Sequence, residues 1–203
     1  MNGYEALRES AAWIDLSARG KAARTTTLAV EGPRSAEVLA RIGAPVPETD
    51  YAFVPWGSRL VARLSSTGSP GFFVFAPVDE QPALIAQLGI EQADAEAART
   101  VRLEHGRPRY GEDITDRFLA QETNQSHALH FSKGCYLGQE IVERARAQLQ
   151  LHRKLMPLDI DGNTAPTPGT SLTTRGNATA EITSAAFSPA LAKVVALAYV
   201  RTA

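Results

Sequence analysis

Apolar residues recur along this chain in two periods, one near three and a half and one of two, and the switches between them mark its elements. Tyr4, Leu7 and Ala11 share a helical face and predict a short amphipathic helix over residues 3–12. Trp13-Ile14-Asp15-Leu16-Ser17 reads as a brief strand that ends in the glycine turn before Lys21. Residues 25–30, rich in threonine and ending in aliphatics, predict a second strand. Pro33 then opens a helix with Ala36, Leu39 and Ile42 on its apolar stripe, and Gly43 closes it. Residues 52–54 and 60–64 read as strands around a Pro55-Trp56-Gly57 turn. The turn Thr67–Gly71 leads into a strand over 72–75. Helices follow over 79–88 and 94–105, the second with Ala95, Ala98, Val101 and Leu103 inward. This succession predicts an α+β layout built on an antiparallel sheet. Residues 109–132 form a polar loop, and short strands over 181–184 and 194–200 predict a small barrel.

Composition narrows the class. The 203 residues are 44% hydrophobic and 21% charged with net charge −1, an ordinary globular balance without the basic excess of a nucleic-acid-binding protein. A single cysteine excludes an internal disulfide and suits a reducing compartment. No apolar run reaches the length of a membrane helix, and MNGYEALRES has no signal-peptide core, so the expected location is cytoplasmic, with neither nucleic acid nor membrane as partner. The four histidines, His105, His127, His130 and His152, stand in no recognised catalytic spacing, and no metal-ligand set is expected. Trp13 is expected to be packed. Trp56 is expected either to be partly exposed and line a ligand pocket or to join the core.

Chemistry concentrates in Lys133-Gly134-Cys135-Tyr136-Leu137-Gly138-Gln139-Glu140. Ile141, Ala145 and Leu149 recur every four residues after it, so a helix is expected to start near Gly138, with a Glu140–Arg144 pair one turn apart. Cys135 would then precede a helix N-terminus beside Lys133, where dipole and lysine charge favour the reactive thiolate. The alternative is a small buried hydrophobe.

This octapeptide resembles the K-G-C-Y-x-G-Q-E signature of the YgfZ proteins, tetrahydrofolate-dependent helpers of iron–sulfur cluster assembly or repair. They are relatives of the aminomethyltransferase (T-protein) of the glycine cleavage system. Asp15-Leu16-Ser17-x-x-Gly20, the T-G-x-x-G-F type run at 67–72, Arg102-x-Glu104-x-Gly106-x-Pro108 and Gln121-Glu122-x-Asn124 are similar to family segments. The resemblance implies a T-protein-like first domain with a ferredoxin-like antiparallel sheet and helices, residues 1–154. A small, truncated C-terminal β-barrel would occupy 155–203. It implies tetrahydrofolate as cofactor, and iron–sulfur proteins or their assembly machinery as partners. Catalytic roles fall to Cys135 and Lys133, and folate contacts to Glu104, Tyr136, Gln139, Glu140, Arg144 and Arg146. Glu104 matches the glutamate that meets the pterin in the T-protein branch. The other reading of Glu104 is a helix-end ion pair with Arg102 or Arg107. The basic run from Arg144 to Lys154 would either attract a folate's glutamate tail or form a solvated face.

The chain also departs from the family. After about residue 22 relatives continue into a second domain, whereas here Thr25–Pro33 resembles a T-x-L-A-V-E-G-P run found well downstream in them. About one domain's length is missing at that point. Relatives carry proline near Ala120 and glycine at Leu149. The resemblance leaves two function classes open: a folate-binding helper of iron–sulfur assembly, or an aminomethyltransferase. In the latter a functional aspartate comes from the missing domain. A cysteine hydrolase is more distant, and one cysteine alone cannot hold an iron–sulfur cluster.

Overall fold

The computed structural model describes residues 1–16, 24–130, 134–135, 138–140, 143, 151–174 and 177–202. The chain divides into two units, Met1–Arg107 and Pro108–Ala203.

The first unit is a five-stranded antiparallel sheet in the order β1-β2-β5-β4-β3. Its strands are β1 (Ala12–Asp15), β2 (Thr25–Glu31), β3 (Phe53–Trp56), β4 (Arg59–Ala62) and β5 (Gly71–Pro77). Its helices are α1 (Tyr4–Glu9), α2 (Ser35–Arg41), α3 (Gln81–Leu88) and α4 (Ala95–Glu104). Neighbouring residues of one strand point to opposite faces. Trp13, Leu28 and Val30 therefore join a core covered by Leu39 of α2 and Leu84 and Leu88 of α3. Ile14 and Ala29 join a second core covered by Leu7 of α1 and by Ala97 and Val101 of α4. With helices on both faces, the central strands read as apolar runs rather than alternating ones.

Several boundaries differ from the sequence pattern for identifiable reasons. The first helix ends at Glu9, because the Ser10 carbonyl accepts from the Arg34 backbone N–H at 2.8 Å. Pro55 and Trp56 lie inside β3, not in the turn. Proline is tolerated there because, among the described residues, β3 is an edge strand with no neighbour on its outer side. The expected helix over 79–88 opens with a 3-10 turn, Val78–Glu80, before α3 begins. On α4 the buried residues are Ala97, Thr100, Val101, Arg102 and Leu103, and Ala98 packs against the same core, whereas Ala95 is exposed.

Glu31, at the end of β2, is fully buried. Its Oε1 accepts from the Ser66 backbone N–H at 2.6 Å and the Ser66 hydroxyl at 2.7 Å. Its Oε2 accepts from Ser65 Oγ and the Thr67 backbone N–H, each at 3.0 Å, and from the Thr67 hydroxyl. These donors replace water around a carboxylate that would otherwise be costly to bury. Gly71 faces it closely: a Cβ there would meet Glu31 Cγ at 2.7 Å.

The second unit holds a four-stranded antiparallel sheet ordered β6-β9-β8-β7. It consists of β6 (Arg153–Ile160), β7 (Ser171–Thr174), β8 (Asn177–Ser188) and β9 (Lys193–Arg201). Among the described residues this partial barrel does not close, and β6 and β7 are its edges. Pairing makes β8 and β9 longer than the apolar runs that announced them. Register shifts between Ile182 and Ser184, so Thr183 is an extra residue in β8 opposite β9. A bulge lets consecutive side chains share a face. Thr183 Oγ1 donates to Asp113 Oδ1 at 2.6 Å, the Ser184 hydroxyl donates to the same oxygen, and Oδ2 accepts from the Arg109 backbone N–H at 2.9 Å. Asp113 is fully buried. The Tyr199 hydroxyl donates to the Asp113 carbonyl at 3.1 Å, and its ring stacks on Phe118 with centroids 3.6 Å apart. Arg153 lies over the Phe118 ring at 4.7 Å and donates through Nε to Glu122 at 3.0 Å. These contacts group residues 109–123 with the sheet that follows them.

Two predictions follow from these buried polar groups. Glu31→Ala strands the Ser66 and Thr67 donors inside the first unit. It should lower stability by about 3 kcal/mol in urea denaturation, and a change under about 0.5 kcal/mol would contradict the role given to this carboxylate. Burial pushes the Tyr199 phenol well above its ordinary value, and the nearby Glu122 charge adds to the rise. Above about pH 10 the unfolded phenol releases a proton that the folded one keeps, so stability should fall by about 1.4 kcal/mol per pH unit. Below that pH this contribution is fully present. Tyr199→Phe should flatten the alkaline decline, as read from denaturation midpoints across pH.

Candidate functional site

The sequence places candidate chemistry at the end of α4 and around Cys135, and each lies in its own unit. Helix α4 begins with an N-cap. Asp94 accepts from the Ala97 backbone N–H at 2.7 Å, and this bond and the one from the Asn2 backbone N–H hold its carboxyl below the usual range. The helix ends by reversal. Arg107 N–H donates to the Arg102 carbonyl at 3.0 Å, which requires Gly106 at φ 61°, a left-handed conformation that glycine adopts without strain. Glu104, the last residue of α4 and two before Gly106, meets α1.

There Tyr4 and Arg8, four residues apart and on one helical face, meet it together. The Tyr4 hydroxyl donates to Glu104 Oε1, and Arg8 Nε lies 3.2 Å from Oε2. The Glu104 side chain is 6% exposed. The helix-end ion pair is thus formed with Arg8. A carboxylate that is to bind the amino edge of a pterin needs lone pairs open to the ligand. Here each oxygen already holds a partner and the side chain is turned away from water, so in this conformation little of the carboxylate is open to a ligand.

Cys135 is exposed, as is Gly134, and the buried-hydrophobe reading does not hold. Gly138 precedes Gln139 and Glu140, which are helical, as is Glu143; Gln139 is half-buried and Glu140 exposed. Lys133, Tyr136, Arg144 and Arg146 lie outside the described residues. Cys135, Gln139 and Glu140 belong to one short segment of the second unit, while Glu104 belongs to the first. Among the described residues no group of three or more His, Cys, Asp or Glu side chains is gathered to hold a metal ion. No described helix is long and apolar enough to cross a membrane. Trp13 is packed in the core at 7% exposure, and Trp56 is half-buried with the Arg59 guanidinium 4.6 Å from its ring centroid.

Sequence reasoning missed Tyr4, Arg8 and Asp113 as partners of these elements. For Tyr4 and Arg8 a signal existed: their i,i+4 spacing beside Leu7 puts a phenol and a cation on one face. For Asp113, in a polar loop, there was none.

Comparison with known proteins bears on both halves of the chain. Residues 153–203 match the family described as the glycine cleavage T-protein C-terminal barrel domain. An aminomethyltransferase of Acidobacterium capsulatum is 32% identical over 195 residues, covering 87% of this chain and 51% of that protein. One from Streptomyces coelicolor is 30% identical over 216 residues, covering 97% and 57%. The crystal structure of the glycine cleavage system aminomethyltransferase T from Bartonella henselae superposes with a TM-score of 0.78 at 26% identity, covering 87% of this chain and 52% of that one. The chain spans about half the length of the curated relatives it matches. On the matched barrel domain, the antiparallel α+β architecture and these similarities, the chain is T-protein-like in sequence and in fold.

Proposed function

We propose that this protein is a tetrahydrofolate-binding, T-protein-like module that assists iron–sulfur cluster assembly or repair, with Cys135 as its working side chain. The observation that carries this reading is the exposed Cys135 within Lys133-Gly134-Cys135-Tyr136-Leu137-Gly138-Gln139-Glu140, set in a T-protein-like chain. A single thiol cannot hold a cluster alone, so its partner must supply further thiolates, and the contact is transient or shared. The partners in this reading are iron–sulfur proteins or their assembly machinery. Lys133 is assigned beside Cys135, where its charge favours the thiolate, and Arg144 and Arg146 are the cations assigned to the carboxylates of a folate, with Tyr136, Gln139 and Glu140 as further contacts. The missing domain is placed after about residue 22, and the folate-binding and barrel regions divide near residue 154.

The second reading is an aminomethyltransferase. The names of the relatives favour it, since such enzymes depend in general on tetrahydrofolate. Against it stands the aspartate that the resemblance assigns to the missing segment.

Folate affinity in this chain should be low. A ligand gains affinity from being enclosed on several sides. Losing on the order of 100 Å² of apolar contact at about 25 cal/mol per Å² costs about 2.5 kcal/mol, nearly two decades in dissociation constant. Glu104, committed to Arg8 and Tyr4, points the same way. Calorimetric titration with tetrahydrofolate, run beside a full-length aminomethyltransferase, should therefore show much weaker binding here. Equal affinities would remove the missing segment from the site.

Exposure of Cys135 yields a separate test. Iodoacetamide should label the native chain nearly as fast as the urea-unfolded chain. In a reconstitution of an iron–sulfur enzyme, Cys135→Ser should abolish any stimulation by this protein while leaving its thermal melting unchanged. Stimulation undiminished in the variant would exclude Cys135 from the function.

A further inference from the structure

We propose that the first unit carries an oxyanion-binding site of its own, formed by Arg63 and Arg107, for the carboxylate or phosphate group of a small molecule. A cleft of about 390 Å³ lies between the 64–71 segment and His105–Arg107, with Asp50 and Tyr51 along its border. That volume is in the range of small-molecule sites. Glu104 is not among its lining residues, and the whole cleft belongs to the first unit.

Its walls are fixed in advance. Glu31 holds Ser65, Ser66 and Thr67 from below, and the Gly68 N–H donates to Ser65 Oγ at 2.8 Å. Gly68 sits so close to the next wall that a Cβ would meet His105 Cβ at 2.6 Å and Arg107 Cγ at 2.9 Å. No other residue fits there, and the loop is locked against the 105–107 segment. Such preorganisation separates a site from a surface crease, because the binding groups need not be ordered by the ligand.

The charges inside the cleft are unequal. Arg63 donates through Nε to Asp50 at 2.8 Å and through Nη1 to the Pro47 carbonyl at 3.4 Å, and its guanidinium lies 5.7 Å from the Phe72 ring centroid. The Asp50 side chain is 79% exposed, so much of its charge is screened by water. Arg107 donates through Nη2 to the Ser65 carbonyl at 3.2 Å, and among the described residues no carboxylate pairs with it. Each guanidinium is oriented by a carbonyl, and each keeps N–H groups beyond those used. Two guanidiniums and one screened carboxylate among the lining residues give the cleft a positive balance. A planar oxyanion is the ligand chemistry a guanidinium fork binds best.

Isothermal titration of the full 203-residue chain tests this, with inorganic phosphate and glutarate as probes and sodium chloride as the ionic-strength control. Saturable binding of one equivalent is expected for at least one probe. Phosphate alone would identify a phosphate-bearing ligand, glutarate alone a carboxylate, and both a general oxyanion site. Arg107→Gln and Arg63→Gln should each weaken binding about tenfold or more, as expected for the loss of charged hydrogen bonds. Arg34→Gln should not weaken it, since Arg34 lies outside the cleft and pairs with Glu37. Should Arg107→Gln melt early, Arg107→Lys keeps the charge without the fork and should still bind more weakly than the parent. Saturation by neither probe overturns the proposal. So does binding that is unchanged in a folded Arg107→Gln chain, or equally weakened by Arg34→Gln.

Discussion

A buried carboxylate is stable only if donors surround it, and Glu31 imposes that condition on the first unit. Its oxygens accept from the backbone and hydroxyls of Ser65, Ser66 and Thr67, a segment 34 to 36 positions downstream. The end of β2 and the approach to β5 are thereby held at fixed distance, beyond what their ladder requires. The tight approach of Gly71 to Glu31 and of Gly68 to His105 follows from the same anchoring. One acid thus sets the conformation of a loop, and the loop sets one wall of a cleft.

The second unit solves the same problem with Asp113. Here the donors are Thr183, Ser184 and the Arg109 backbone. Two consecutive residues of a regular strand could not both reach one oxygen, since their side chains point to opposite faces. The bulge at Thr183 removes that obstacle. Around this anchor, Phe118 stacks on Tyr199, and Arg153 bridges the Phe118 ring and Glu122. In both units a buried acid is satisfied chiefly by neutral donors, which avoids burying a second full charge.

For function, two signals of different reach agree on a T-protein-like chain and part over its chemistry. The octapeptide around Cys135 puts an exposed thiol in one short segment. The similarity to aminomethyltransferases covers nearly all of this chain but only about half of theirs. Glu104 shows how such a half can differ from a whole. The side chain that the resemblance assigns to a pterin is held by Arg8 and Tyr4 of α1. A carboxylate already paired inside its unit is a structural element first, and a ligand group only if those partners yield.

What the sequence determined by itself was local. Periodicity announced β2, α2, α4 and β9, because burial of one face or of both imprints its period directly on the residues. The burial of Trp13 was legible from its place in an apolar strand. The helical residues after Gly138 were legible from a glycine followed by an apolar stripe. Tertiary structure decided the rest. Pro55 sits in a strand only because β3 is the sheet's edge. The Ser10 carbonyl ends a helix only because Arg34 comes to meet it. Glu31, Asp113 and Glu104 look in the sequence like ordinary surface acids. Apart from the Arg109 backbone N–H on Asp113, the partners named for them stand 34 to 100 positions away, and no local pattern encodes a contact that exists only once the sheets have formed.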